Sequence, residues 1–178
     1  MNGVTDSGLR VFAPGTGKVF GAAVASLLGQ PLAALEERDF EDGEHKLRPL
    51  ECVRERDVYL VQAIYRDWRH SPNDKLVRLL WLAGALRDAG AARITLVAPY
   101  LCYARKDRRS QPRDPVSLRY LAQVVEAMGI ARVVTALEDP DPRVAGQGHE
   151  LLRKAGIEVV TGVLRDEALR ANRGHVLR

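Results

Sequence analysis

The chain has 178 residues, of which 46% are hydrophobic and 28% charged. This is the composition of an ordinary globular domain, and it excludes a disordered or low-complexity protein. The formal net charge of +4 favours anionic ligands without requiring nucleic acid. Aromatic residues make up only 6% and do not interleave with the basic residues, so we expect no nucleic-acid binding. No apolar run approaches the roughly 20 residues of a membrane span and the start lacks a signal-peptide layout, so we expect a cytoplasmic protein with no membrane contact.

Short apolar strands alternate with amphipathic helices along the whole chain. The strands are predicted at 9–13, 32–37, 57–62, 94–98, 132–137 and 157–163, and the helices at 18–28, 73–89, 117–128, 144–155 and 166–172. This alternation predicts an α/β fold, in which helices cover a mostly parallel sheet in three layers. The loop EDPDPR at 138–143 is the one candidate seam, and we expect a single domain over residues 1–178.

A basic loop follows the predicted strand at 94–98. Five cations lie within a few residues of one another: Arg105, Lys106, Arg108, Arg109 and Arg113. Open α/β sheets bind ligands at the carboxyl ends of their strands, and arginine suits phosphate oxygens. The pattern therefore favours a phosphate-bearing ligand, with a solvated basic turn as the equal alternative.

Two cysteines, Cys52 and Cys102, lie far apart and match no metal-binding spacing. We therefore expect two free thiols. The chain also lacks the Pro-Cys-x-x-Cys pair of zinc deaminases, so no zinc is expected.

Three separated motifs occur in order: FEDGE at 40–44, SPNDKL at 71–76 and PYLCYARKDRR at 99–109. With these motifs the chain resembles ribose-phosphate pyrophosphokinases, also called phosphoribosyl-pyrophosphate synthetases, over about residues 9–135. The resemblance is to their N-terminal half and implies a phosphoribosyltransferase-like topology. The family transfers the diphosphate of ATP onto ribose 5-phosphate with Mg²⁺, usually as an oligomer.

The resemblance also implies roles for particular residues. Phe40 would stack on the adenine of ATP, and Asp42 and Glu44, on either side of Gly43, would accept hydrogen bonds from it. Arg105 and Lys106, with Asp107 beside them, resemble the pair that contacts ATP, across a subunit interface from the FEDGE segment. Without the family match, FEDGE is simply an acidic turn around Gly43, and Asn73 with Asp74 need be no more than a helix N-cap.

The resemblance stops past Thr135. The family continues with an Asp-x-His segment that holds Mg²⁺; here the aligned residues are Leu137, Glu138 and Asp139, and only Asp139 could serve as a ligand. The second domain of the family, which grips the ribose phosphate, has no counterpart in the sequence. Ribose 5-phosphate binding would therefore need a partner domain.

Residues 136–178 resemble something else, namely the end of the pyrimidine deaminase domain of riboflavin biosynthesis. The segments DPDPRVAGQG and AGIEV carry this resemblance. The deaminase ligands are absent, and His149 and His175 are expected to be surface or helix-end residues. Three hypotheses stay open: a nucleotide-binding pyrophosphokinase half that is inactive alone, a chimeric α/β protein without activity, and, disfavoured, a deaminase.

Overall fold

The computed structural model describes residues 8–136, 147–163 and 165–166. Within them, five parallel strands form one sheet in the order β1-β4-β5-β6-β7. The strands are β1 (Leu9–Phe12), β4 (Asp57–Val61), β5 (Arg93–Val97), β6 (Ile130–Val134) and β7 (Glu158–Val160). A separate antiparallel hairpin consists of β2 (Leu35–Asp39) and β3 (His45–Pro49).

Helices cover both faces of this sheet, which confirms the predicted three-layer α/β fold. They are α1 (Lys18–Leu27), α2 (Pro72–Asp88), α3 (Ser117–Ala127) and α4 (Gln147–Lys154). Side chains alternate along a strand, so neighbours face opposite layers. Val11 and Ala13 thus pack with Ala25 of α1, whereas Phe12 belongs to the larger core formed with α2, α3 and α4.

Helix α2 is the longest and most clearly specified element. Its N-terminus is a capping box, in which the Ser71 hydroxyl accepts from the Asp74 amide and the Asp74 carboxylate accepts from the Ser71 amide. Its leucine face is buried on the sheet, as predicted: Leu79, Leu82, Ala83 and Leu86 are fully enclosed. The N-cap is Ser71 and not Asn73, whereas Asp74 does take part in capping, as the third residue of the helix.

Two predictions near the amino terminus need correction. The strand predicted at 32–37 is displaced, because Leu32 makes only an isolated parallel bridge to Val11 before the chain turns away to begin β2 at Leu35. Strand β3 was not predicted. The hairpin lies outside the main sheet and buries only Leu47 fully, so its sequence lacks a regular apolar alternation.

The described part of the tail continues the same sheet. Strand β7 pairs in parallel with β6 in the register Arg132↔Glu158 to Val134↔Val160, and α4 crosses between them against α3. This pairing of the two strands was predicted. The seam at 138–143 and most of the helix predicted at 166–172 lie outside the described residues, and the division of the chain at about residue 135 stays a prediction.

Candidate functional site

The carboxyl ends of all five strands meet at one edge of the sheet, because the strands are parallel. Two long loops dominate this edge: residues 62–71, which lead from β4 into α2, and residues 98–116, which lead from β5 into α3. They lie side by side, since the Gln62 amide donates to the Val97 carbonyl and the Ile64 amide to the Tyr100 carbonyl. This is the edge at which α/β proteins bind their ligands.

The basic loop, residues 98–116, is held together by one carboxylate. Asp114 accepts from Lys106 at 2.9 Å and from the amides of Ser110 and Gln111 at 3.0 Å. The Lys106 bond and these amides hold the pKa of Asp114 below its usual range. The ammonium of Lys106 is therefore already partly neutralised, whereas the Arg105 side chain is exposed to solvent.

The base of the basic loop is buried. Cys102 is enclosed, and burial raises the pKa of its thiol to about 11, so it is no nucleophile at neutral pH. Asp107, next to Lys106, is 8% exposed and its Oδ1 has no hydrogen-bond partner in the described structure. A buried unpaired carboxylate oxygen is costly. Asp107 is thus the residue of this loop that would gain most from a hydrogen-bond donor supplied by a ligand.

The FEDGE segment is the turn of the β2–β3 hairpin. The Phe40 amide donates to the Glu44 carbonyl at 2.8 Å, and the Asp42 carboxylate accepts from the Glu44 amide at 3.0 Å. Gly43 has φ +88, a conformation that a side chain would strain. Phe40 is 39% exposed, with the Arg38 guanidinium 4.9 Å from its ring centre. The turn therefore presents one ring face and three carboxylates, those of Glu41, Asp42 and Glu44, to solvent.

The two predicted halves of the site are separate in one chain. Within the described residues, no hydrogen bond or ion pair joins the turn, residues 40–44, to Arg105 or Lys106. Each group makes its polar contacts locally. The geometry brings Phe40, Asp42, Gly43 and Glu44 together, and Arg105 with Lys106, but not the one set with the other.

A charged network that the sequence did not reveal anchors the hairpin and the 62–71 loop to α2. Arg78 of α2 binds Asp39 of β2, and Lys75 of α2 binds Asp67 at 2.7 Å. Asp67 also accepts from Thr16 and from the amides of Arg69 and His70. Although burial opposes ionisation, these bonds hold the pKa of Asp67 well below its usual range.

The signal that could have revealed this network is two basic residues on the buried face of an apolar helix. Lys75 and Arg78 are 4% and 8% exposed and lie among the leucines of α2. Lys and Arg are rarely buried unless they are paired. Their positions in the sequence therefore predict acidic partners, although not which ones.

The candidate metal ligand, Asp139, lies outside the described residues, as does His175. No cluster of three or more His, Cys, Asp or Glu side chains able to hold a metal occurs in the described ranges. His149 lies on α4, where its Nε2 is 3.0 Å from the Thr135 hydroxyl. The described helices include none that is long and apolar enough to cross a membrane.

Comparison with known proteins agrees with this architecture. The family model for the N-terminal domain of ribose phosphate pyrophosphokinase matches residues 9–129. The ribose-phosphate pyrophosphokinase of Wolinella succinogenes is 36% identical over 128 residues, which cover 72% of this chain and 40% of that protein. The enzyme of the same name from Helicobacter pylori strain 26695 is 35% identical over 128 residues, covering 72% and 39%.

A solved structure extends the likeness in three dimensions. The phosphoribosylpyrophosphate synthetase of Mycobacterium smegmatis superposes with a TM-score of 0.76 at 25% identity, over 94% of this chain and 52% of that one. This chain spans about two fifths of the length of the curated relatives named above. The chain belongs to the ribose-phosphate pyrophosphokinase family, and its residues 9–129 match the N-terminal domain of that family.

Proposed function

We propose that this chain is an ATP-binding half of a ribose-phosphate pyrophosphokinase and that it does not transfer diphosphate by itself. In this proposal Arg105 and Lys106 contact the phosphates. Phe40 stacks on the adenine, and Asp42 and Glu44, held by the turn at Gly43, accept from its amino group. The observation that carries the proposal is the exposed Arg105 on a loop at the carboxyl edge of the sheet. The relatives of this chain are named ribose-phosphate pyrophosphokinases.

The separation of the two half-sites supports an oligomer. The family resemblance places the FEDGE turn across a subunit interface from the Arg105–Lys106 pair, so in this proposal a complete adenine and phosphate site needs the turn of a second copy. ATP binding would then weaken on dilution to monomer. A cytoplasmic location is part of the same proposal.

In this proposal Mg²⁺ binds as a complex with ATP and not at a preformed protein site. Mg²⁺ is commonly held by one or two carboxylates and the substrate phosphates, and the described residues offer no ready-made cluster. Asp139 is the carboxylate that we propose as its protein ligand. When bound, the ion would neutralise phosphate charge; the residues of this chain would orient the nucleotide.

The expected lack of diphosphate transfer follows from how the substrates must be positioned. Diphosphate transfer requires the ribose hydroxyl to be held in line with the β-phosphorus, and positioning supplies much of the catalysis in such reactions. The 128 aligned residues cover only 40% of the W. succinogenes relative. We therefore expect the isolated chain to form no AMP above background from ATP, Mg²⁺ and ribose 5-phosphate.

A coupled assay of AMP release tests this part of the proposal. The chain should remain at background, and should gain activity only when a partner supplying the ribose-phosphate site is added. AMP formation that depends on ribose 5-phosphate in the isolated chain, and that Arg105→Ala abolishes, would show that the chain or its own copies build the sugar site.

The resemblance of residues 136–178 to a riboflavin-pathway deaminase stays a prediction about ancestry. A chimeric protein without activity remains the alternative to nucleotide binding. Against a separate tail, 94% coverage of 178 residues leaves about 11 outside the superposition, so the likeness to the solved synthetase extends beyond residue 129. This supports a tail that completes the pyrophosphokinase-like sheet.

A further inference from the structure

An exposed cluster of aromatic and basic side chains lies on the two loops at the carboxyl edge of the sheet. The aromatic members are Tyr65, Trp68, Tyr100 and Tyr103, which are 50%, 88%, 47% and 45% exposed. The basic members are Arg66, Arg105, Arg109 and Arg113, all exposed. We refer to these eight residues as the aromatic–basic surface.

The two loops are joined, so the surface is continuous. The Tyr65 and Tyr100 rings meet edge to face at 6.2 Å between centres. The Ile64 amide donates to the Tyr100 carbonyl at 2.8 Å, and the Tyr103 hydroxyl donates to Asn73 at the start of α2. Tyr100 and Tyr103 belong to the basic loop itself, whereas Tyr65 and Trp68 come from the 62–71 loop, up to 38 positions earlier, and the fold brings that loop beside it.

Buried polar contacts fix the loop that carries Trp68. Asp67, the preceding residue, binds Thr16, Lys75 and two backbone amides. Lys75 in turn lies 4.6 Å from the centre of the Tyr65 ring. These contacts fix the backbone of the loop that exposes Trp68 to solvent. An aromatic residue on a preorganised loop loses little conformational entropy on binding.

The surface is positive. In the described ranges, Arg66, Arg105, Arg109 and Arg113 take part in no ion pair. Three of the nearby acids are already engaged, Asp114 by Lys106, Asp67 by Lys75, and Asp74 by the capping box of α2. Asp107, also in the basic loop, is buried and not part of the exposed surface. Exposed arginines, unpaired among the described residues, thus lie on the same two loops as the exposed rings, and a ligand that suits both is polyanionic and aromatic.

We propose that the aromatic–basic surface binds single-stranded nucleic acid, with bases stacked on Trp68 and its tyrosine neighbours and phosphates on the arginines. Rings and cations alternate in such sites, because the rings need unstacked base faces and the cations follow the backbone. A duplex hides its base faces and fits poorly. This goes beyond the proposed ATP site, with which it shares only Arg105. It departs from the sequence-based expectation of no nucleic acid, which did not take account of the aromatic residues of the 62–71 loop.

The test uses the full chain and a 15-nucleotide oligouridine RNA. The chain has two tryptophans, so Trp81→Phe leaves Trp68 as the only tryptophan, which is excited selectively at about 295 nm. We expect RNA to quench it, with affinity falling as salt rises. Trp68→Ala should weaken binding, measured by the anisotropy of labelled RNA, by about 5- to 100-fold. Arg66→Gln and Arg109→Gln should each reduce the salt slope by about 0.7.

The matched control is Arg153→Gln. Arg153 is also exposed, but it lies in the last turn of α4, which leads back to the amino edge of the sheet. Its removal should leave both affinity and salt slope nearly unchanged. Because Trp68 is 88% exposed, Trp68→Ala should fold normally, which circular dichroism checks.

Four results would overturn the inference: no RNA binding at 50 mM salt, binding that Trp68→Ala does not weaken, equal affinity for a duplex of the same length, or an equal effect of Arg153→Gln. A change of mass by light scattering in Trp68→Ala, with RNA binding intact, would instead make the surface a contact between copies. ATP titration of Trp68→Ala separates the two proposals, since nucleotide binding should survive the substitution.

Discussion

Individual charged residues decide how the candidate site is held. Lys75 is enclosed on the apolar face of α2 and its ammonium lies 2.7 Å from Asp67. Asp67 lies just before the exposed Trp68, in the loop that follows β4. The pair therefore fixes the 62–71 loop, at the ligand-binding edge, to helix α2.

Removing one member of this pair should destabilise the folded protein strongly. Lys75→Met keeps the size of the side chain but leaves Asp67 charged and without its buried cation. We expect a loss of about 3 kcal/mol in the free energy of unfolding, measured in urea. Lys75→Met combined with Asp67→Asn should recover part of it. Lys154→Met, which removes the exposed partner of Glu150, should change stability by less than about 0.5 kcal/mol. Equal effects of the two single variants would contradict this account.

Stability should fall in two stages as pH is lowered. Burial, with Arg78 nearby, lowers the pKa of His70 and His45, so the folded state binds fewer protons than the unfolded chain. Their contribution is complete above the unfolded value and is lost as pH falls from about 7. The pKa values of Asp67 and Asp39 are also lowered, so a steeper loss should begin below about pH 5.

Urea unfolding between pH 4 and pH 8 measures both stages. His70→Asn should flatten the upper stage and leave the lower one in place. A stability that rises as pH falls from 7.5 to 6 would contradict the stated directions.

At the scale of elements, the sequence predicted the strands and helices in which buried apolar residues recur with the period of the element. Strand β5 and helices α2 and α3 were found within one or two residues, because their apolar positions follow the sheet or helix period. The β2–β3 hairpin was missed, since a mostly exposed hairpin carries no such period. The site was predictable only in part: its loops and the FEDGE turn follow from motif and composition, whereas the Asp67–Lys75 network depends on tertiary contacts between distant segments.

Two helical glycines make a matched pair for testing helix packing. A Cβ on Gly21 of α1 would lie 2.2 Å from Ala13 Cβ, whereas one on Gly84 of α2 would meet only Met128 Sδ at 3.5 Å. Gly21→Ala should therefore push α1 off β1 and cost about 1–3 kcal/mol. Gly84→Ala should stabilise by about 0.5–1 kcal/mol through helix propensity. Thermal unfolding distinguishes the expected loss of stability in Gly21→Ala from the expected gain in Gly84→Ala. A stabilising Gly21→Ala would show that α1 does not pack as described.

At the scale of the whole molecule, the central structural question is whether the tail shares the core of the N-terminal part. Leu152 of α4 and Ile157, just before β7, belong to the same buried cluster as Leu96 and Leu118. A shared core should unfold as a unit. The interaction of β6 with β7 then stabilises the whole sheet and not just its last strand.

Leu152→Ala tests that sharing. Deleting a fully buried leucine should lower the free energy of unfolding by about 2–5 kcal/mol. The loss should appear in one cooperative transition, followed by both circular dichroism and tryptophan fluorescence. The exposed Leu27→Ala variant on α1 is the control and should have little effect. A second, separate transition that alone shifts in Leu152→Ala would make the tail an independent unit.

The most direct test of the account as a whole is calorimetric titration of the chain with ATP and Mg²⁺. We predict weak binding that decreases on dilution and that Arg105→Ala reduces about 10- to 100-fold, as expected for loss of one charge-assisted contact. Arg153→Ala, which removes another exposed arginine in the last turn of α4, should bind as the unaltered chain does. The absence of ATP binding in a folded protein, or an equal loss in both variants, would contradict a nucleotide-binding role for this chain.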